Sequence, residues 1–213
     1  METTRIIAIR HGETVWNIEG REMGQKDSPL TPKGRAQAEA VAARLANTRF
    51  SALYSSDLPR ALDTARCIAD KSKIDVVTDV RLRERNMGIF EGLTIPEMHE
   101  QYPDVRREYE RTGGTFVIPE GESGDQRRAR SVACFEELAV QHAGETIVIV
   151  THGGVLAGIF QHVLGLPFES GRSFKRSNGS LSVFLYRNAR LVLETWNDVS
   201  HLRDAEALDD MIH

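Results

Sequence analysis

Two histidines and two arginines stand where apolar runs of this chain end, and their types point to phosphate chemistry. Arg10-His11-Gly12-Glu13-Thr14-Val15-Trp16-Asn17 follows the run from Ile6 to Ile9, and Thr151-His152-Gly153-Gly154 follows Ile147-Val148-Ile149-Val150. Ser55-Ser56-Asp57-Leu58-Pro59-Arg60-Ala61 closes a third short run and opens a helical pattern with Arg60 in its first turn. Carboxyl ends of strands are where α/β folds hold ligands. Gly12 allows the backbone to approach an anion closely. Arginine forks match phosphate oxygens and stay charged. A neutral imidazole nitrogen can attack phosphorus, splitting one hard hydrolysis into two easier steps through a phosphohistidine. A second histidine can stabilise the transferring oxygens. The leaving alkoxide needs a proton, which a carboxylic acid of raised pKa supplies before activating water on the return step. Glu84 and Glu91 in Arg81-Leu82-Arg83-Glu84-Arg85-Asn86-Met87-Gly88-Ile89-Phe90-Glu91-Gly92 are candidates, with Glu13 and Glu122 as further carboxylates, and spacing alone does not choose among them.

These segments need elements to position them. Short β-rich runs at 5–9, 52–55, 76–78 and 146–151 alternate with helical patterns at 32–45, 58–69, 95–102, 125–142 and 155–164, the signature of an α/β fold. Near-continuous apolar strands suit a sheet covered by helices on both faces. Thr31 is the expected N-cap of the first helix, with Pro32 at its first position. Two late strands, 182–186 and 190–195, flank Asn188 as a hairpin. The weaker pattern at 88–123 reads as a lid-like insertion within a single domain spanning 1–213.

Composition bounds the partners. The 213 residues carry 27 Lys and Arg against 31 Asp and Glu, a net charge of −4. That balance disfavours nucleic acid and membrane surfaces as partners but leaves room for a small anionic substrate. Cys67 and Cys134 form no disulfide framework and read as small core residues. No zinc-ligand spacing, signal-peptide core or transmembrane run occurs, so the expectation is a cytoplasmic chain, and the sequon Asn178-Gly179-Ser180 carries little weight. Arg127-Arg128-Ala129-Arg130 reads as a solvated helix face, and Glu91 as structural.

The ordered segments resemble the histidine phosphatase superfamily, the phosphoglycerate-mutase-like fold. The resemblance rests on Arg10-His11-Gly12-Glu13-Thr14 with Trp16-Asn17, then Asp27-Ser28-Pro29-Leu30-Thr31 with Gly34, then Ser55 to Ala61. Leu82-Arg83-Glu84 with Gly88 and Glu91-Gly92, and Thr151-His152-Gly153-Gly154, complete it. It implies a three-layer α/β/α sandwich with a mostly parallel central sheet. It implies His11 as the phosphorylated nucleophile, with Arg10, Arg60 and His152 holding the phosphoryl group and Glu84 as general acid and base. Thr14, Asn17, Met23, Gly24 and Gly153 complete the implied substrate-binding set. Met23 stands where the family often has a polar residue, which points to an apolar leaving group. Arg106 and Arg107 lie where some members contact a substrate carboxylate. The expected activity is hydrolysis of small phosphate monoesters by a monomer or homodimer, with no cofactor and no metal. The short acidic tail 204–213 and the block Pro119-Glu120-Gly121-Glu122-Ser123 favour this phosphatase branch. The alternatives are a cofactor-dependent phosphoglycerate mutase and a non-catalytic phospho-ligand-binding module.

Overall fold

The computed structural model describes residues 2–202; the acidic tail 204–213 lies outside them. Six strands form one sheet in the order β3-β2-β4-β1-β5-β6. They are β1 (Thr4–Arg10), β2 (Ala52–Ser55), β3 (Val76–Thr78), β4 (Thr146–Thr151), β5 (Leu181–Arg187) and β6 (Arg190–Asp198). The first four run parallel, and β5 and β6 are antiparallel additions at the β1 edge. Asn188 and Ala189 both take positive φ, 51° and 57°, making the tight turn between β5 and β6.

Side-chain alternation along the strands divides the core into two layers. Ile6 and Ala8 of β1 and Ile147 and Ile149 of β4 face one cluster, with Phe135, Leu138, Leu156 and Ile159 of helices α6 (Gly124–Gln141) and α7 (Gly153–Leu164). Ile7, Ile9, Val148 and Val150 face the other, with Val41 and Leu45 of α2 (Pro32–Leu45) and Ala61, Ala65 and Ile68 of α3 (Pro59–Ser72). The result is the three-layer α/β/α arrangement. Thr31 caps α2 by accepting from the Gly34 N–H at 2.9 Å.

Three short helices escape the sequence reading or shift from it. Val15–Glu19 forms α1, capped by Thr14. Ile95–Gln101 is α4, and Pro103–Thr112, given no element from the sequence, is α5. Each is too short for a long apolar period; α1 and α4 carry capping boxes from Thr14 and Thr94, whereas α5 has no side-chain N-cap. Phe90, Met98 and Ile118 of the 88–123 segment form a small separate core with Met87, the residue just before it. Cys134 is fully buried as expected, whereas Cys67 is half-buried beside the second cluster; both are free thiols. Among the described residues, no helix is long and apolar enough to cross a membrane.

Candidate active site

Sheet register brings the histidines together. Arg10 of β1 pairs with Thr151 of β4, and Ser55 of β2 pairs with Val150, so the residues that follow each strand emerge side by side. His11 and His152 rings lie 5.2 Å apart and both are buried. Gly12 packs so closely on the Gly34 backbone that a Cβ would collide with the Gly34 carbonyl, and its N–H donates to Thr64 Oγ1 at 3.1 Å. This contact ties the His11 loop to the start of α2.

Hydrogen bonding fixes the His11 tautomer. Nδ1 lies 2.7 Å from the Gly12 carbonyl, which can only accept, so the ring proton sits on Nδ1 and Nε2 keeps its lone pair. Burial, then the Arg60 and Arg10 charges, hold His11 well below its ordinary pKa, so the ring is neutral at neutral pH. His152 is lowered in the same way by burial, Arg60, His11 and Arg10, and its Nε2 pairs with Ser56 Oγ at 2.8 Å. Asn178 donates from Nδ2 to the His11 carbonyl at 3.1 Å and to Asn17 Oδ1 at 3.2 Å. Its side chain is fully buried, so the sequon is a structural element behind the site.

Arg60, whose side chain has no solvent exposure, donates to the Gly24 carbonyl at 2.7 Å and the Lys26 carbonyl at 2.8 Å, holding the Met23-Gly24 loop against α3. Arg10 is also buried, and its Nη1 donates to the Arg176 carbonyl. Glu84 faces the N-terminus of α7. Its carboxylate accepts from the Gly154 N–H at 2.7 Å and the Arg85 N–H at 2.8 Å. Burial pushes its pKa up, but Arg127, those two N–H groups and Arg60 outweigh burial and hold it below the usual carboxylate range. The raised pKa expected of the acid is therefore absent in the free site, because cations and amides surround the carboxylate.

These groups surround a cleft of about 670 Å³, within the usual size range of small-molecule sites. Arg10, His11, Asn17, Met23, Gly24, Arg60, Glu84 and Gly153 all line it. Thr14 is fully buried and caps α1, and the His152 ring is fully buried beside that of His11. Glu91 accepts from the backbone N–H groups of Gln25 and Met87, a structural role as read from the sequence. Arg106 is buried and paired with Glu110, whereas Arg107 pairs with Asp104 at the surface. Among the described residues, no group of three His, Cys, Asp or Glu side chains is arranged to hold a metal ion.

The arginine run of α6 corrects the sequence reading. Arg128 pairs with Asp125 at the surface, but Arg130 reaches the carbonyls of Arg81, Arg83 and Glu84, and Arg127 is 3% exposed and lines the cleft. Helical rotation separates these neighbours onto different faces, which composition cannot show. Ser56 lies within a strand-end segment singled out above, whereas nothing local marks Asn178, Arg127 or Gln161 as site residues.

Comparison with known proteins agrees with this geometry. Residues 6–199 match the histidine phosphatase superfamily (branch 1), and the chain belongs to that family. It is 40% identical over 204 residues to a metal-independent phosphoserine phosphatase of Arabidopsis thaliana, covering 94% of this chain and 84% of that protein. It is 38% identical over 212 residues to a protein of Escherichia coli O1:K1 / APEC named "Probable phosphoglycerate mutase GpmB", covering 97% and 98%. The solved structure of Bacillus stearothermophilus YhfR superposes with a TM-score of 0.87 at 31% identity, covering 94% of this chain and all of that one.

Proposed function

We propose that this chain, a phosphoric monoester hydrolase by family, releases phosphate from small-molecule monoesters through a phosphohistidine on His11. The observation that carries the reading is the His11 ring, neutral beside the Arg60 and Arg10 charges, with its proton held on Nδ1 by Gly12 and the lone pair left on Nε2. In the first step Nε2 bonds to phosphorus, the ester P–O bond breaks, and Glu84 gives its proton to the departing oxygen. Arg10, Arg60 and His152 hold the equatorial oxygens, and Asn17, Met23, Gly24 and Gly153 shape the space beside them. In the second step Glu84 takes a proton from water, the water oxygen bonds to phosphorus, and the N–P bond breaks. Thr14 serves by capping the loop that carries His11.

The charge of the substrate acts on Glu84 against the surrounding cations. A bound phosphate dianion near Glu84 disfavours the ionised carboxylate and raises its pKa from the lowered value of the empty site, which favours the proton-bearing acid that the first step needs.

We take residues 1–213 as one domain, with 88–123 as a lid-like wall that contributes Ile95, Met98 and Tyr109 to the cleft. The two free thiols support a cytoplasmic setting. No cofactor, metal, nucleic acid or membrane enters this reading, and a monomer or homodimer suffices.

Turnover of 4-nitrophenyl phosphate, abolished in His11→Ala, tests the proposal; equal rates for the two proteins would refute it. A mutase is the second reading, favoured by the likeness to GpmB. Isomerisation of 3-phosphoglycerate that depends on 2,3-bisphosphoglycerate and outruns phosphate release would favour it.

A further inference from the structure

The two neutral histidine rings of the site are held by different kinds of partner. The Gly12 carbonyl can only accept, so it fixes the proton of His11 on Nδ1. His152 meets a hydroxyl instead, and a hydroxyl can donate or accept. Its Nε2 lies 2.8 Å from Ser56 Oγ, and its Nδ1 is buried with no hydrogen-bond partner in the protein. Burial keeps this ring neutral too, so it carries a single proton on one of its two nitrogens.

The surroundings of Ser56 decide which nitrogen that is. Ser56 is fully buried just beyond β2, and the Leu58 N–H donates to its Oγ at 3.3 Å. The neighbouring Ser55 hydroxyl donates to the Ser56 carbonyl and leaves Oγ alone. Among the described residues, the Ser56 hydroxyl proton has one hydrogen-bond acceptor, His152 Nε2. If Nε2 donated to Ser56, two buried groups would go unanswered, the Ser56 O–H and the Nδ1 lone pair. If Ser56 donates to Nε2, one is left, the Nδ1–H. Buried polar groups without partners are unfavourable, so the arrangement with one orphan prevails over that with two. The remaining orphan is of the kind an anion completes. The His152 ring stands 5.2 Å from that of His11, the Arg60 and Arg10 charges act on it, and Gly153 beside it lines the cleft. A lone pair at Nδ1 would repel a phosphoryl oxygen there, whereas an N–H donates to it.

We propose that Ser56 is a positioning residue that holds the His152 proton on Nδ1, so that His152 donates a hydrogen bond to an oxygen of the transferring phosphoryl group as a neutral ring. One tautomer thereby gives the two rings opposite tasks: His11 offers a lone pair to phosphorus, and His152 offers an N–H to oxygen. His152 keeps its proton through both steps, so proton transfer to the leaving group and from water stays with Glu84. Ser56 belongs to the same strand-end segment as Arg60, and that segment then supplies one phosphate ligand directly and orients a second. This inference rests on the phosphatase reading and adds the residue that makes His152 a donor.

Proton–nitrogen correlation spectra of the full chain, isotope-labelled in its imidazole nitrogens, read the tautomer of His152 directly at neutral pH. The wild type is expected to show the proton on Nδ1 and the lone pair on Nε2. Saturation with inorganic phosphate should shift the Nδ1–H resonance downfield and slow its exchange with water. In Ser56→Ala the proton should distribute over both nitrogens. Phosphate should then inhibit hydrolysis of 4-nitrophenyl phosphate about 10-fold less tightly, the weight of one hydrogen bond to a charged group, and kcat/KM should fall by a similar factor for aryl and alkyl esters alike. A smaller folded fraction would lower the rate but leave the inhibition constant where it was, so the two effects separate. A His152 proton on Nε2 in the wild type, an Nδ1–H indifferent to phosphate, or unchanged phosphate inhibition in Ser56→Ala would overturn the inference. The wild-type spectra decide it even if the variant does not fold. Any of these results alongside wild-type turnover of 4-nitrophenyl phosphate removes the inference alone, whereas no wild-type turnover removes the phosphatase reading with it.

Discussion

Gly154→Ala separates the chemistry of Glu84 from the stability of the fold. The added Cβ would lie 2.8 Å from Glu84 Cδ, where ordinary contact begins at 3.4 Å, so the carboxylate must move by about 0.6 Å at Cδ and further at its oxygens. Glu84 has little freedom to absorb this shift, because the N–H groups of Gly154 and Arg85 both hold it. A displacement approaching 1 Å at a reacting group costs about 10²-fold in rate, or about 2.7 kcal/mol. Alanine in place of glycine inside a helix contributes up to about 1 kcal/mol of stability, so strain and propensity roughly offset each other. The assay compares kcat/KM for 4-nitrophenyl phosphate, whose leaving group needs little protonation, with that for an alkyl phosphate the wild type accepts, alongside thermal unfolding. The expected result is a loss of about 10²-fold on the alkyl ester, a much smaller loss on the aryl ester, and a Tm within a few degrees of wild type. Equal losses on both esters would show that Glu84 does not protonate the leaving group from this position.

Two further outcomes follow from the buried polar groups. His11 and His152 have folded-state pKa values lowered well below 6.5, chiefly by burial, while the unfolded chain titrates normally. Below pH 6.5 the unfolded chain binds protons that the folded chain refuses, so stability falls with pH by up to about 1.4 kcal/mol per unit for each histidine. His201, lowered by burial as well, adds a smaller share. Urea unfolding between pH 7 and 5 reads this slope, which His11→Asn should reduce; a flat profile would contradict the buried neutral rings. Asn178→Ala removes the donor to the His11 carbonyl and to Asn17 Oδ1, and should cost about 1–3 kcal/mol in urea unfolding together with a fall in kcat/KM. Unchanged stability and activity would show that Asn178 does not hold the His11 loop.

The chemistry-bearing segments were legible because they are local. An apolar strand followed by His and Gly states its own position at a strand end, and the buried strands β1 and β4 show as near-continuous apolar runs. Five helices were readable from period and length, but α1 is five residues held by the Thr14 capping box, and α5 has no side-chain N-cap and buries only Arg106. The charge state of Glu84 was misjudged, because its pKa depends on Arg127, Arg60 and two amides contributed by four separate segments.

The sequence by itself determined the α/β architecture, the strand ends that carry His11, Arg60 and His152, and the kind of group they suit, since each is written in consecutive residues. Tertiary structure alone decided which partners complete the site. Arg127 sits among arginines that reach the surface or backbone carbonyls, yet helix rotation and the missing side chains of Gly154 and Gly158 turn it into the cleft. Gln161 acquires an unpartnered oxygen only because the 167–168 carbonyls hold its nitrogen. Such pairings depend on residues far apart in the chain meeting at distances of a few ångströms, and no local pattern records them.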